Sequence, residues 1–201
     1  MTALKIRVDL LGSQPQFAHE AGRLDKLTAK IFSIIHSVRL LTARQADSIA
    51  LVPVDLSEVA VSLQETFQQR LAEKTLHFDI QIQEGARARS HGEILEHSIL
   101  SNLLSNAIKF SPRGARISLM ATHDGCQIQL VVRNPCDPLG TGVLEDLSQG
   151  RFHVSRRGTE GEPGSGHGLH IVALTLARIQ GRLKIRNEGD ALAVEVSLPA
   201  A

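Results

Sequence analysis

The sequence predicts an α+β protein in which a helical N-terminal part precedes a domain of interleaved helices and strands. Apolar residues recur every three or four positions from Leu24 to Leu41, a spacing typical of one face of a long helix. Four later runs alternate apolar and polar residues and predict two β-hairpins, residues 115–122 with 127–133 and residues 182–186 with 192–198. We therefore expect two domains, residues 1–50 and residues 51–201.

The composition excludes several classes of function. The 201 residues are 42% hydrophobic, which is enough for a core. A formal net charge of +1 offers no basic surface for nucleic acid, and the lack of Trp and Tyr removes the platforms on which bases stack. No apolar run is long enough to span a membrane, and no signal peptide is present. We expect a soluble, cytoplasmic chain; the membrane anchor of any longer protein would precede Met1.

The predicted N-terminal domain is a helical hairpin. Residues 2–11 form a short helix, residues 12–15 end it, and a longer helix follows over residues 16–47. Its apolar seam has heptad spacing and consists of Leu24, Leu27, Ile31, Ile34, Val38 and Leu41. A helix packed inside a monomer would show the same seam. Because two helices of such unequal length cannot bury it alone, we expect a homodimer whose hairpins form a four-helix bundle.

The second domain begins with an extended stretch at residues 50–54. Asp55 is a predicted N-cap, with Glu58 three residues later, and the helix that follows runs to Glu73. Residues 76–82 alternate like a strand. Residues 134–163 are rich in Gly, Pro, Ser and Arg and lack periodicity, which predicts a mobile lid over a ligand.

A predicted helix over residues 92–110 carries the first candidate site. Asn102, Asn106 and Lys109 lie at positions i, i+4 and i+7 and share one helix face. An amide oxygen is a hard ligand for Mg²⁺, which keeps waters and phosphate oxygens in its shell, and a lysine adds positive charge for phosphates. The pattern indicates a site for a divalent cation with polyphosphate. A surface helix with solvated amides would show the same pattern.

A glycine-led helix start is the second candidate. Gly164, Gly166 and Gly168 precede an apolar run from Leu169 to Ile179 that has helical spacing. Glycines before a helix let backbone N–H groups approach a phosphate, whose negative charge the helix N-terminus favours. The glycine triplet alone is a weak signal. Its position after the Asn/Lys helix, with strands between, makes it more specific.

In this order the two stretches resemble the N box and G2 box of sensor histidine kinases of two-component systems, within the ATPase superfamily of gyrase, Hsp90 and MutL. The resemblance runs from about residue 2 to residue 199. It implies a dimerisation and phosphotransfer hairpin followed by an α/β sandwich that binds ATP and Mg²⁺. In the implied reaction, the γ-phosphoryl group passes to a histidine of the hairpin and then to the receiver domain of a response regulator.

The resemblance also implies roles for individual residues. It assigns Mg²⁺ to Asn106, the phosphates to Lys109 and to the backbone of residues 164–168, the adenine ring to Phe110, and the adenine amino group to Asn134. The implied nucleotide-binding residues are Asn102, Asn106, Lys109, Phe110, Asn134, Gly164, Gly166, His167, Gly168 and Leu169. The implied catalytic positions are Asn102, Lys109 and Arg156.

Two of these assignments have alternatives. Phe152 and Arg156 resemble the family's F box, whose Arg can meet a phosphate, but a solvated Arg is the other interpretation. His167 and His170 are three residues apart, as in some metal sites, although a metal would need further ligands.

Asn102 occupies the position where hydrolysing relatives such as gyrase and Hsp90 have a Glu that activates water. An amide cannot accept a proton from water at neutral pH. The resemblance therefore implies transfer to a protein acceptor, or no turnover, rather than efficient ATP hydrolysis.

The chain departs from the family in two places. Where the family has Asp-x-Gly-x-Gly, residues 134–138 read Asn-Pro-Cys-Asp-Pro, so the acceptor for adenine loses its charge and both glycines are replaced. Asp137 is an alternative adenine ligand or a turn residue. The phosphoacceptor motif His-Glu-x-Arg-x-Pro is also absent; neither His19 nor His36 lies in such a motif.

These departures leave two alternatives to a histidine kinase. The first is a degenerate pseudokinase that serves as a phosphotransfer or dimerisation scaffold. The second is a stand-alone serine-directed kinase of the anti-sigma type, which needs no histidine, although the heptad seam argues against it.

Overall fold

The computed structural model describes residues 50–152, 157–162 and 168–201, which belong to one compact unit. The predicted helical hairpin, its heptad seam and the homodimer contact lie outside these residues and stay predictions. Within the described ranges, no helix combines the length and the apolar character needed to cross a membrane.

The strands form a five-stranded sheet and a separate two-stranded ribbon. In chain order the elements are β1 (Val52–Asp55), α1 (Leu56–Glu73), β2 (His77–Ile82), β3 (Arg87–Ser90), a π-helical stretch (Ile94–Leu100) that continues into α2 (Ser101–Phe110), β4 (Arg116–His123), β5 (Gln127–Pro135), α3 (Thr141–Ser148), α4 (Gly168–Arg178), β6 (Arg182–Glu188) and β7 (Ala191–Pro199). The large sheet has the order β2-β4-β5-β7-β6, with β2 parallel to β4 and the other neighbours antiparallel. The predicted α+β class and both hairpins are confirmed.

Helices cover one face of the large sheet. Because side chains alternate along a strand, β4, β5 and β7 each contribute a row of buried apolar side chains to one face of the sheet. Buried members of the apolar face include Ile117, Leu119, Ile128, Leu130 and Val196. Helices α1, α2 and α4 contact β2, β5 and β6 respectively. The core therefore lies between a helical layer and the sheet, and α2 crosses its centre.

Helix α1 begins and ends with well-defined caps. The Asp55 carboxylate accepts a hydrogen bond from the N–H of Ser57 at 2.9 Å, so the predicted N-cap is confirmed. At the other end the N–H of Leu76 donates to the carbonyl of Leu71 at 2.8 Å, which is typical of a Schellman motif. Thr75 adopts a left-handed φ of 48°, unusual for a β-branched residue, and turns the chain from α1 into β2.

The predicted helix over residues 92–110 contains a π-helical stretch that we did not predict. Its buried residues come in apolar pairs, Ile94-Leu95, Ile99-Leu100, Leu103-Leu104 and Ala107-Ile108. The first two pairs are five residues apart, and an α-helical turn of 3.6 residues would rotate the first pair away from the core. The wider π turn keeps both pairs buried, and the N–H of Ser101 accordingly donates to the carbonyl of Glu96.

Two predicted irregular stretches contain regular structure. Residues 50–54, predicted as an extended linker, contribute β1, which pairs antiparallel with β3. Residues 134–163, predicted from their lack of periodicity to be a mobile lid, include a helix that was not predicted, α3 over residues 141–148. The helix is short, and its buried contact is limited to Leu147, which explains the weak periodicity.

Candidate functional site

The first residue of α4 lies against two amide side chains of α2. A Cβ atom on Gly168 would lie 3.3 Å from Oδ1 of Asn102 and 3.5 Å from Nδ2 of Asn106. A Cβ atom here would crowd the Asn102 amide, which would have to shift by a few tenths of an ångström, whereas its contact with Asn106 would be an ordinary one. The amino-terminal end of α4, whose unpaired N–H groups carry partial positive charge, adjoins the two amides.

Asn102 is oriented by its own helix. Its Nδ2 donates to the carbonyl of Ser98 at 2.9 Å, which leaves Oδ1 on the side of Gly168. Asn102 and Asn106 are both half-buried. The opposite face of α2 is buried in the core and consists of Leu103, Leu104, Ala107 and Ile108. Core packing thus fixes the rotation of the helix, and with it the direction of the amide face.

Lys109 and Phe110 contact each other at the end of α2. The Lys109 Nζ atom lies 4.8 Å from the centroid of the Phe110 ring, within the range of a cation–π interaction. Burial lowers the pKa of the Lys109 ammonium, and the negative charge of Glu162 opposes that effect. A partly desolvated cation in this position would be stabilised by a bound anion such as a phosphate.

The 157–162 segment adjoins the carboxyl-terminal end of α2. The Thr159 N–H donates to the carbonyl of Lys109 at 3.1 Å, and its hydroxyl donates to the carbonyl of Ser111 at 2.9 Å. A Cβ atom on Gly158 would lie 2.7 Å from Cγ of Lys109 and closer still to the carboxylate of Glu162. The segment therefore packs directly on the stem of Lys109.

Glu162 supplies a negative charge at this end of the site. Burial opposes ionisation of its carboxyl group, but hydrogen bonds from the backbone N–H groups of Glu162 and Glu160, together with the Lys74 ammonium, outweigh burial. The pKa of Glu162 consequently lies below its ordinary value, and the group is ionised at neutral pH.

Asn134 lies at the end of β5 with only 4% of its surface exposed. Its Nδ2 donates to the carbonyl of Pro135 at 3.2 Å. The chain that follows is attached to the β6–β7 hairpin: the N–H of Cys136 donates to the carbonyl of Asp190 at 3.0 Å. The Asn187 amide also makes two hydrogen bonds with the backbone of Leu139, at 2.8 and 3.0 Å.

The remaining predicted site residues are only partly described. Phe152 is buried, and its ring meets that of His170 edge-on with the centroids 6.0 Å apart. Leu169 follows Gly168 in the first turn of α4. Arg156, Gly164, Gly166 and His167 lie outside the described residues, so their assignments stay predictions. No cluster of three His, Cys, Asp or Glu side chains suited to a metal occurs in the described part of the chain.

Sequence reasoning missed Lys74, Thr159 and Asn187. Lys74 and Thr159 are 85 positions apart, and no periodic pattern connects them. Asn187 lies in β6, one residue beyond the predicted strand of residues 182–186. The isolated Gly158 was the one available signal, because glycine often marks a close approach of two segments.

A family model described as "Histidine kinase-, DNA gyrase B-, and HSP90-like ATPase" matches residues 92–201. The chain belongs to this family. The match includes α2, α4 and both hairpins, so the predicted resemblance to the ATPase domain of sensor histidine kinases is confirmed. The π-helical stretch, the altered residues 134–138 and the 157–162 segment of this chain all lie within the matched residues.

Similar proteins are sensor histidine kinases. Histidine protein kinase SaeS of Staphylococcus epidermidis is 25% identical over 187 residues, which make up 89% of this chain and 52% of SaeS. The chain thus spans about half the length of that relative. Full-length ShkA in complex with AMPPNP has a TM-score of 0.71 at 21% identity and covers 97% of this chain and 42% of ShkA. Histidine kinase ThkA in complex with the response regulator TrrA has a TM-score of 0.67 at 15% identity, covering 96% of this chain and 52% of ThkA. At these identities the two structures demonstrate a shared fold.

Proposed function

We propose that this chain is part of a sensor histidine kinase whose ATPase domain binds Mg-ATP and donates the γ-phosphoryl group to a histidine. The observation that carries the proposal is the contact of Gly168, at the start of α4, with the amides of Asn102 and Asn106. It brings a helix N-terminus, suited to phosphate, beside amide oxygens suited to a hard cation.

The donor set fits Mg²⁺. This ion prefers octahedral oxygen coordination and usually keeps several waters, so one amide oxygen from the protein with phosphate oxygens suffices. Asn106 would hold the ion, beside the first residue of α4. A bound Mg²⁺ would neutralise phosphate charge during transfer.

The other assignments follow from charge and position. Lys109 would pair with the phosphates, since its ammonium is partly desolvated and has a lowered pKa. Phe110 would pack on the adenine ring, and the Asn134 amide oxygen would accept from the adenine amino group. Arg156 would approach the phosphates from the lid, with the backbone of Gly164, Gly166, His167 and Leu169 completing their site.

Asn102 favours transfer over hydrolysis. Its amide donates to the Ser98 carbonyl and has no basic group with which to activate water. Positioning and electrostatic stabilisation would then supply most of the catalysis.

The first acceptor of the phosphoryl group would be a histidine of a dimeric hairpin, and the final acceptor would be the receiver domain of a response regulator. We place the whole protein's reaction in the cytoplasm.

Labelled ATP tests the proposal. We expect the 201-residue chain with Mg²⁺ to transfer acid-labile, alkali-stable label to a separate hairpin that carries His-Glu-x-Arg-x-Pro, and to remain unlabelled itself. Labelling of His19 or His36 would contradict the predicted lack of an acceptor in this chain.

Sedimentation tests the predicted homodimer. The Ile31→Asp variant should be monomeric, because burying an unpaired charge in the seam between the helices costs free energy.

The altered residues 134–138 favour a second candidate, a pseudokinase scaffold. The Asn134 amide already donates to the carbonyl of Pro135, and both family glycines are replaced. This candidate predicts no calorimetric signal when the chain is titrated with Mg-ATP or Mg-GTP. The kinase proposal predicts binding of Mg-ATP that is lost when Mg²⁺ is chelated.

A further inference from the structure

The ammonium group of Lys74 lies where three segments meet. Lys74 directly follows the last residue of α1, and 4% of its surface is exposed. Its Nζ atom has four oxygen acceptors: the carbonyls of Ile108 (2.9 Å) and Lys109 (3.1 Å), the Thr159 hydroxyl (2.6 Å) and the Glu162 carboxylate (3.4 Å). Since an ammonium group has three N–H donors, this buried charge is fully hydrogen-bonded.

Two of the acceptors belong to the end of α2. The last carbonyl groups of a helix lack partners within the helix, and the helix dipole favours a cation beside them. Lys74 satisfies the carbonyl of Ile108 and shares the carbonyl of Lys109 with the N–H of Thr159. One backbone carbonyl, that of Lys109, is therefore bound by both α1 and the 157–162 segment.

The other two acceptors belong to the 157–162 segment, which is internally ordered. The N–H of Gly158 donates to the carbonyl of Glu162 at 3.0 Å, and the N–H of Glu160 donates to the Glu162 carboxylate at 2.9 Å. An exposed ion pair between Arg113 and Glu160, at 2.9 Å, adds a contact of the kind that contributes little. The segment is attached to its surroundings by the contact with Lys74 and by the bonds of Thr159 with the carbonyls of Lys109 and Ser111.

We infer that Lys74 is a positioning residue that fastens the 157–162 segment to the end of α2 and so fixes Lys109 for phosphate binding. The backbone of Lys109 is held through its carbonyl, and its stem is held by the close packing of Gly158. Loss of the Lys74 ammonium would release both. The role toward phosphate rests on the proposed function, whereas the attachment itself does not.

Limited trypsin digestion of the nucleotide-free chain tests the attachment. Arg157 is exposed beside Gly158, and its cleavage should follow the population of the detached segment when opening is fast. Cleavage after Arg116, in β4, reports global unfolding instead. The variants are Lys74→Met, which removes the charge, and the matched pair Thr159→Val and Thr159→Ser, of which only the serine keeps a hydroxyl.

Thr159→Val should speed cleavage after Arg157 by more than about twofold, because it removes the hydroxyl's hydrogen bonds with both Lys74 and Ser111, and Thr159→Ser should match the parent. Lys74→Met should exceed tenfold, because it removes a charged donor from all four of its acceptors, among them the buried carbonyl of Ile108. The double variant Lys74→Met/Thr159→Val should fall short of the product of the single effects. Equal cleavage of the Val and Ser variants, or equal acceleration after Arg157 and Arg116, would overturn the attachment.

Calorimetric titration with Mg-ATP tests the effect on phosphate binding. Lys74→Met and Thr159→Val should bind several-fold more weakly than the parent, and Thr159→Ser should match it. Parent-like affinity in Lys74→Met, combined with faster cleavage after Arg157, would overturn the positioning role. If the parent binds no nucleotide, the proposed function and the phosphate role fail together, while the digestion still decides the attachment.

Discussion

The α2–α4 contact keeps a glycine of the family pattern, whereas the end of β5 has lost two. At the start of α4, a side chain on Gly168 would meet the amides of Asn102 and Asn106. At the end of β5, Cys136 and Pro138 replace the two glycines of the family pattern, and no residue from 134 to 140 has a positive φ. At residue 168, glycine leaves space for the Asn102 amide. At residues 136 and 138, the backbone conformation does not require glycine.

Hydrogen bonds attach the residues that follow β5 to the β6–β7 hairpin. Asn187 binds both the N–H and the carbonyl of Leu139, while Cys136 is bonded to the β6–β7 turn. An extended backbone suits any residue, and proline fits where its φ near −65° is adopted and no N–H is needed. The comparison teaches that a lost glycine matters where another atom occupies the Cβ position. It matters less where the chain is extended and anchored.

The largest expected effect is at the α2–α4 contact. Asn106→Asp should abolish the stabilisation of the domain by Mg-ADP. Carboxylate is also a hard oxygen ligand, so the reason is the added negative charge facing the phosphates and the loss of the amide donors. Thermal unfolding with and without Mg-ADP measures the effect. Gln68→Glu, an exposed charge change on α1, is the control and should respond like the parent; equal shifts in Asn106→Asp would contradict the site.

A second variant tests whether space at residue 168 is the reason for glycine. Gly168→Ala should weaken Mg-ATP binding by about tenfold, because the added methyl crowds the Asn102 amide beside the residue that we assign to the cation; tenfold corresponds to about 1.4 kcal/mol. Gly142→Ala is the matched control, since it also adds a methyl to a helical glycine but meets no atom within 4 Å. It should keep full affinity and slightly stabilise α3. Similar affinities in the two variants would show that crowding at Gly168 is unimportant.

The sequence allowed prediction of those helices and strands in which the burial of one face produces a periodic pattern of apolar residues. The hairpins β4–β5 and β6–β7 alternate cleanly because one face packs on helices. The ribbon strand β3 reads Arg-Ala-Arg-Ser, where the small Ala88 is the apolar residue, so no hydrophobic pattern revealed it. The π turn was missed because a five-residue step between apolar pairs was taken as part of an ordinary helix.

The candidate site was predictable where side chains share one helix and unpredictable where distant segments meet. Asn102, Asn106 and Lys109 follow from helix geometry alone. The contact of Gly168 with the amides depends on how α4 crosses α2, which no local pattern encodes. The role of Lys74 was harder still to predict. A lysine at the carboxyl-terminal end of a helix is normally solvated and interacts with the helix dipole, whereas Lys74 contacts Thr159, which is 85 positions away in the sequence.

The smallest expected effect is at Asn134, in the region that departs most from the family. If its amide oxygen accepts from adenine, the hydrogen bond joins two neutral groups and contributes about 0.5–1.5 kcal/mol, against about 1.5–3 kcal/mol for a charged acceptor. Asn134→Asp should therefore tighten Mg-ATP binding by a few-fold to about tenfold. Selectivity over Mg-GTP should rise, because a carboxylate repels the guanine carbonyl, whereas an amide can turn and donate.

The same substitution should destabilise the nucleotide-free chain, and this separates binding from folding. Asn134 is 4% exposed and donates to the carbonyl of Pro135 at 3.2 Å. Aspartate would lose that donor and bury a charge, so the free energy of unfolding should fall by about 1–3 kcal/mol. Urea denaturation measures the loss of stability, and calorimetry with Mg-ATP measures the affinity.

A variant that binds Mg-ATP more weakly than the parent would exclude Asn134 as the adenine acceptor and leave Asp137 as the next candidate. A variant that is less stable yet binds more tightly would mean that the end of β5 keeps the family's adenine contact without its glycines.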